Sequence, residues 1–600
     1  MNKNLKSYHE EESIGRVYDH RLMRRLLRYL RPYWKSVTAG IILLLAASGT
    51  TLLGPHLIKV TVDKYVAVGD YRGLYIMVGI YFMVVLLGFF FRYFQTFIVY
   101  MTGQKAMYDM RKTIFSHFQR LSLNFYDKNP VGRLITRLTN DIDTLNELFT
   151  SGVVTVFGDI FMIVGIVGFL IYYNVKLALV TFSVLPILFF AAILFKTKTR
   201  KSFREIRLWL ARINSFLQEH ITGMKIDQIF NYEAQSFRKF DSLNRKHLDA
   251  FLKTIFYYSI FYPIVEVVGA LAVSLIVWYG GIRVFEGELT DGEMIAYIMF
   301  VHRFYRPIQD LSEKYNILQS AMAASERVFK LLDTHQFITE NPQPIRTSRL
   351  LGHIEFRNVW FAYTDEEYVL RDISFEVKPG ESTALVGATG AGKTTISNLL
   401  MRFYEFQKGH ILIDTIDIHN IPLSDLRRNM GLVLQDVFLF SDTIEENIRL
   451  WNSDIPLEKV RHAGVDVNAD KFISRLTRDY RSEVKERGAT FSAGQKQLLA
   501  FARALAYNPR ILILDEATSN IDTETEILIQ NAVRKLMEGR TSLIIAHRLS
   551  TIQHVDKIIV LHKGRIREIG THQELLANRG IYYKLYQLQY KDQEVQFTAV

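Results

Sequence analysis

Gly387-Ala388-Thr389-Gly390-Ala391-Gly392-Lys393-Thr394-Thr395 stands between a short apolar run, 383–386, and an apolar helical pattern, 396–403. A glycine, four residues and then Gly-Lys-Thr, in a strand–loop–helix setting, is a cradle for phosphate. The glycines let backbone N–H groups curl around phosphate oxygens, and the helix N-terminus adds its positive dipole end. Lys393 is placed to reach β- and γ-phosphates, and the Thr394 hydroxyl to hold Mg²⁺. A second chemical pair, Asp515-Glu516, closes the all-apolar run 511–514. Acidic residues at the C-terminal end of a parallel strand sit at the ligand edge of the sheet. There Asp515 would hold Mg²⁺ through water, and Glu516 would orient and deprotonate an attacking water. A solvated turn is the alternative for two adjacent carboxylates; the apolar strand leading straight into them weighs against it.

The elements that must position these groups belong to two unlike halves. Over 600 residues, 49% hydrophobic and 22% charged look average. Long apolar runs nevertheless fill the chain up to about Ser320, and an ordinary α/β pattern follows Gly352. This composition excludes disorder, collagen-like repeats and a disulfide scaffold. With no cysteine, thiolate zinc sites and cysteine nucleophiles are excluded as well. The net charge of +12 fits either nucleic-acid binding or the positive-inside bias of a membrane protein. Basic residues flank the apolar runs, so the membrane reading is preferred and no nucleic-acid partner is expected.

Six spans are expected: Ser36–Ile58, Leu74–Tyr100, Ser151–Tyr173, Lys176–Lys196, Ile255–Gly281, and a more polar sixth starting at Gly292 and interrupted by His302 and Arg303. The first run follows a long polar stretch without a small-residue cleavage pattern, which argues against a cleaved leader. Within that stretch, His20–Tyr33 puts Leu22, Leu26, Leu27 and Leu30 on one side and arginines on the other. This predicts a basic amphipathic helix in the inner headgroup layer. The connections 102–150 and 197–254 are long, basic and helical in pattern, whereas Arg283–Asp291 is short and acidic. Counting basic residues places the N-terminus, both long loops and the C-terminal half in the cytoplasm.

Further pieces follow in a telling order. Gln435 ends a strand-like run, Ser492-Ala493-Gly494-Gln495 precedes a helical one, Ser519–Asp522 follows Glu516, and His547 follows another apolar strand. Together with the phosphate loop these resemble the ATPase domain of an ABC transporter, and the six spans resemble an ABC exporter half-transporter. The resemblance covers about residues 20–587. It includes Phe125–Asp141 and Gly223–Glu233, which look like that family's two cytoplasmic coupling segments. It implies a multi-domain membrane protein: an all-α six-helix transmembrane domain plus a cytoplasmic α/β P-loop ATPase domain. The implied division is 1–35 for the N-terminus with its interfacial helix and 36–321 for the transmembrane domain. A linker (322–352), the ATPase domain (353–587) and a tail (588–600) follow.

Two ATP molecules would lie between paired ATPase domains, each on Gly387–Thr395 of one domain and facing the Ser492 segment of the other. Tyr363 is placed like the aromatic that stacks on adenine, and Gln435 like the residue linking Mg²⁺ and attacking water to the membrane loops. His547 matches the γ-phosphate contact and Asp522 the cross-interface residue beside the base. The function implied is ATP-driven export of hydrophobic or amphipathic compounds across a bacterial inner membrane. A lipid or glycolipid flippase is the alternative, and an ATP-gated channel or regulator is the alternative of another class.

The signature segment departs from the family pattern of Leu-Ser-Gly-Gly-Gln: here it reads Phe491-Ser-Ala-Gly-Gln495, and Lys485 replaces a glycine upstream. Ala493 puts a methyl where a glycine backbone normally approaches phosphate. With Glu516 intact, this resembles the catalytic half of a heterodimeric multidrug exporter; an active homodimer that tolerates the methyl stays open. Along the membrane, Glu266, Arg92 and His302 are candidate substrate-path residues. For Glu266 an interhelical hydrogen bond competes with contact to a cationic compound, and Arg92 and Arg303 read as groups that snorkel near span ends.

Overall fold

The computed structural model describes residues 19–347, 349–364, 367–516, 523–546 and 552–588. It divides into two compact units, Met1–Gln119 with Val131–Thr334, and Arg120–Pro130 with His335–Val600.

The first unit is all helical: α1 (His20–Arg28), α2 (Trp34–Thr61) and α3 (Tyr71–Phe118), then, beyond α4 (Leu123–Lys128), the short α5 (Val131–Leu138) and α6 (Asn140–Glu147). After them come α7 (Val154–Tyr173), α8 (Val175–Phe182), α9 (Leu185–Thr222), α10 (Met224–Ile229), α11 (Glu233–Leu275), α12 (Gly281–Phe285) and α13 (Asp291–Leu332). Asp19 caps α1 by accepting from the Arg21 and Leu22 amides. The amphipathic helix is shorter than its pattern, because Pro32 turns Arg31–Tyr33 into a separate 3₁₀ turn. Its apolar side buries Met23 and Leu26, and Arg25 holds both carboxylate oxygens of Asp333 at 2.6 and 2.8 Å.

Five helical stretches among the described residues are long and apolar enough to cross a bilayer: 31–66, 71–118, 131–173, 175–222 and 233–285. At 48 residues α3 is about 72 Å long, far more than the ~30 Å of hydrocarbon. The helices therefore extend well beyond the apolar layer, as their loops' patterns predict. Two expectations are refined. The fourth span is broken between α8 and α9, since Pro186 sits in the first turn of α9 and brings no N–H to a continuing ladder. The sixth expected span falls on α13, a 42-residue helix too polar to stand with the other five. A Thr290–Glu293 capping box starts α13, and Asp63 of the segment after α2 accepts from the Thr290 hydroxyl and the Gly292 amide.

The second unit holds two sheets. The four-stranded sheet is ordered β2-β1-β4-β5, with β1 (Ile354–Ala362), β2 (Tyr368–Val377), β4 (Lys408–Ile413) and β5 (Ile416–Asp417). The six-stranded sheet is ordered β10-β9-β3-β8-β7-β6. Its strands are β3 (Ser382–Val386), β6 (Met430–Val433), β7 (Ile511–Glu516), β8 (Thr541–Ala546), β9 (Lys557–His562) and β10 (Arg565–Gly570). All its pairings are parallel except β9–β10. Successive side chains of β3 and β7 enter opposite cores: Ala384, Leu512 and Leu514 on one face, Leu385, Ile511 and Ile513 on the other. Burial on both faces is why these strands read as unbroken apolar runs.

The segment after Thr334 is stapled to this unit. Fully buried Arg402 donates to the Thr339 carbonyl at 2.7 Å and pairs with Glu405. Glu405 also meets His419 Nε2 at 2.8 Å, and Asp417 meets His419 Nδ1 at 2.7 Å. The Glu405 contact, helped by Asp417 against partial burial, raises the His419 pKa above 6.5. A raised folded pKa gives stability that is full below the unfolded value and is lost as pH rises through the folded one. The unfolding midpoint of the ATPase unit in the intact protein should thus fall between pH 6.5 and 9, and His419→Gln should flatten that slope. An unchanged slope in the variant would discard this clamp.

Candidate nucleotide site

The sheet order decides what meets at its C-terminal edge. Strands β3, β8, β7 and β6 lie side by side and parallel, so the loop 387–392, the Asp515-Glu516 pair and the residues after β6 are brought to one edge. From β3 the chain passes through the loop into α14 (Lys393–Leu400). Gly392 takes φ +102° at the start of α14, a conformation L side chains rarely adopt. Gly387 keeps ordinary φ, yet a Cβ there would stand 2.3 Å from the Leu561 carbonyl oxygen, so the loop packs directly against β9.

Lys393 is 6% exposed, and its Nζ donates to the Gly387 and Ala388 carbonyls at 2.7 and 3.2 Å. Burial lowers its pKa, with Asp515 opposing. An arriving polyanion therefore meets a largely desolvated ammonium, whose charge Asp515 already favours. Ala388, Thr389 and Gly390 form an exposed tip, whereas Ala391 and Thr395 are buried. The residues present fit a nucleoside triphosphate. The exposed Thr394 places its hydroxyl 3.4 Å from Oδ2 of buried Asp515. Two hard oxygens suit Mg²⁺, and among the described residues no cluster of three or more His, Cys, Asp or Glu is built to hold a metal alone.

Comparison with known proteins bears directly on this edge. The family profile of the ABC transporter transmembrane region matches residues 37–308, and the ABC transporter profile matches 370–519. The chain belongs to the ABC transporter family. It carries one membrane region and one ATPase domain, the arrangement of an exporter half-transporter, and it hydrolyses ATP in a reaction coupled to transport. It is 38% identical over 589 residues to the uncharacterized ABC transporter ATP-binding protein YknV of Bacillus subtilis, covering 97% of both chains. An ATP-dependent lipid A-core flippase of Syntrophus aciditrophicus is 35% identical over 579 residues, 96% of this chain and 95% of its own. The probable multidrug resistance ABC transporter ATP-binding/permease protein YheH of Bacillus subtilis is 37% identical over 523 residues, 87% and 77%.

Elsewhere in this ABC transporter the predicted residues fall as follows. Tyr363, 39% exposed, follows β1 and shares a hydrogen bond of 3.2 Å with the Thr395 hydroxyl, so its ring stands beside the phosphate loop. Gln435 is exposed two residues after β6. Ser492 caps the helix Ala493–Tyr507 in a capping box with Gln495, and Gly494 is buried behind it. Ser492 and Ala493 are exposed, and their helix start is not hydrogen-bonded to the loop 387–395 among the described residues. Glu516 ends β7, but its side chain, Asp522 and His547 lie outside the described residues. Glu266, Arg92 and His302 are exposed on their helices.

Three polar contacts were not read from the sequence. Tyr404 donates to Oδ2 of Asp127 in α4 at 2.6 Å. Lys314 of α13 pairs with Asp159 of α7. Arg303 donates to the Thr51 carbonyl of α2. The last has a sequence signal, because Pro55 lies four residues after Thr51 and cannot donate to it.

Proposed function

We propose that this transporter exports hydrophobic or amphipathic compounds from the inner side of a bacterial plasma membrane, multi-pass, with its ATPase domain in the cytoplasm. The observation that carries the reading is the buried Lys393 at the phosphate loop, on the same chain as five apolar helices. Six spans are proposed, with α13 as the sixth, its polar residues turned to other helices or a cavity. Names among the relatives point both ways, to multidrug resistance and to a lipid A-core flippase. The proposed domain division is 1–35, 36–321, 322–352, 353–587 and 588–600.

In the proposed cycle ATP lies on Gly387–Thr395 with Tyr363 against adenine and Lys393 on the β/γ-phosphates. Thr394, Asp515 and Gln435 would hold Mg²⁺, which when bound shields phosphate charge. Glu516 takes a proton from the attacking water, and Gln435 and His547 fix the water and γ-phosphate. The Ser492–Gln495 segment and Asp522 of a second half-transporter chain would complete the site, and closure would drive the spans from inward- to outward-facing. ATP-dependent accumulation of a fluorescent amphiphile in sealed inside-out vesicles tests this, with headgroup-labelled lipid as the second arm. Accumulation against a gradient excludes a channel, and lipid movement without drug movement selects the flippase.

A heterodimer is favoured over a homodimer because Ala493 narrows the approach to phosphate. Native mass settles it: one component at twice 69.7 kDa would end the heterodimer reading. Ala493→Gly is expected to raise ATP turnover about two- to fivefold, as loss of a modest steric penalty of under ~1 kcal/mol would. Phosphate release from proteoliposomes measures it, and unchanged turnover means the methyl is harmless.

A further inference from the structure

Several basic groups in the membrane unit have carboxylate partners. Lys59 pairs with Glu293 at 3.1 Å, Arg283 with Glu286 and Glu288, and Lys314 with Asp159. Among the described residues no carboxylate reaches Arg303 in this way. Its setting is built. Pro55 deprives the Thr51 carbonyl of the helical donor it would otherwise have, and Arg303 Nη1 donates to that oxygen. The guanidinium lies over Gly54, where a Cβ would stand in ordinary contact, 3.4 and 3.5 Å from Nη1 and Nη2. The guanidinium is therefore laid against α2 with one of its five N–H groups spent.

Arg303 lies twelve residues into α13, about 18 Å along the helix, hence near mid-bilayer if α13 spans. A guanidinium keeps its proton there, so its charge needs a counter-anion. Exposed Arg92, about 31 Å along α3, is by contrast deep enough to reach the opposite headgroups.

We propose that Arg303, held against the Thr51–Pro55 stretch of α2, binds the anionic headgroup of a membrane amphiphile, a carboxylate or phosphate monoester on an alkyl chain. A planar fork with free parallel N–H groups matches such oxygens in pairs. This rests on the export reading and narrows its substrate class. The competing role is structural, Arg303 serving only to satisfy the Thr51 carbonyl.

Equilibrium binding to the assembled, nucleotide-free transporter in zwitterionic nanodiscs separates the two. The probes are dodecyl phosphate, dodecanoate, dodecanol and dodecyltrimethylammonium, all below micelle formation, and inorganic phosphate. The two anionic probes should bind saturably, and Arg303→Gln should weaken both about tenfold without changing the others. Pro55→Ala returns the N–H that Thr51 lacks, so Pro55→Ala/Arg303→Gln removes any structural need for the guanidinium. If the double variant stays weak, headgroup binding stands. If it recovers, or if Arg303→Gln binds like the unaltered protein, the proposal is overturned. Inorganic phosphate competing as well as dodecyl phosphate would overturn the amphiphile assignment in favour of a free anion. Arg303-dependent binding without ATP-driven uptake would sink the export reading and leave this site in place.

Discussion

Glu516→Gln is expected to lower ATP turnover about a thousandfold while ATP still binds. The amide has the carboxylate's shape and cannot take a proton, so the change isolates one role. A positioned general base is worth about 10²–10⁴ in rate. Glu516 is the last residue of β7, one beyond buried Asp515, whose Oδ2 faces the Thr394 hydroxyl at 3.4 Å. That places it at the same sheet edge as the phosphate loop. Because Lys393 and the loop are untouched, nucleotide affinity should persist, and uncleaved ATP should accumulate on the protein. Filter binding of labelled ATP and phosphate release from proteoliposomes give the two numbers. Turnover within tenfold of the unaltered protein would remove Glu516 from the role of base.

The phosphate loop and the Asp515-Glu516 strand end were legible because their chemistry is written in adjacent residues between apolar runs that need burial on both faces. The first five long helices were legible for a similar reason: hydropathy sums over one continuous segment. The sixth expected span was harder, since α13 mixes His302, Arg303 and Lys314 into an otherwise helical pattern, and composition cannot say which polar groups find partners. Those partners lie far along the chain. Arg303 meets Thr51 across 252 positions, Lys314 meets Asp159 across 155, and Tyr404 meets Asp127 across 277. No local pattern encodes such pairings, although Pro55 announces a carbonyl without a donor. The break before α9 was likewise marked by Pro186, but the apolar run around it hid the change of helix. The signature helix could be read as a helix start from Ser492 and Gln495, a capping box in one stretch.

Tyr404→Phe is expected to cut transport per ATP hydrolysed by about ten- to a hundredfold. The reason is a short series of contacts inside the ATPase unit. Thr395 of the phosphate loop shares a hydrogen bond with Tyr363, whose ring meets Tyr404 edge-on at 5.1 Å. Tyr404 then donates to Asp127 in α4, within the Phe125–Asp141 segment that resembles a coupling segment. Burial, reinforced by Asp127, raises the Tyr404 pKa, so the phenol keeps the proton it donates. A hydrogen bond to a charged group contributes about 1.5–3 kcal/mol, or roughly 10–150-fold in a docked-to-undocked equilibrium. Phenylalanine keeps the ring contact with Tyr363 and removes only the O–H, so ATP turnover should stay near that of the unaltered protein. Asp127→Asn keeps an acceptor without its charge and should fall between the two. Parallel uptake and phosphate-release measurements in one proteoliposome preparation give the ratio directly. An unchanged ratio in Tyr404→Phe would mean that α4 is held by its apolar face, through buried Phe125, and that this hydrogen bond carries no coupling. A lowered ratio with intact turnover would locate the coupling in a single O–H, because nothing else in the ATPase unit differs between the two proteins.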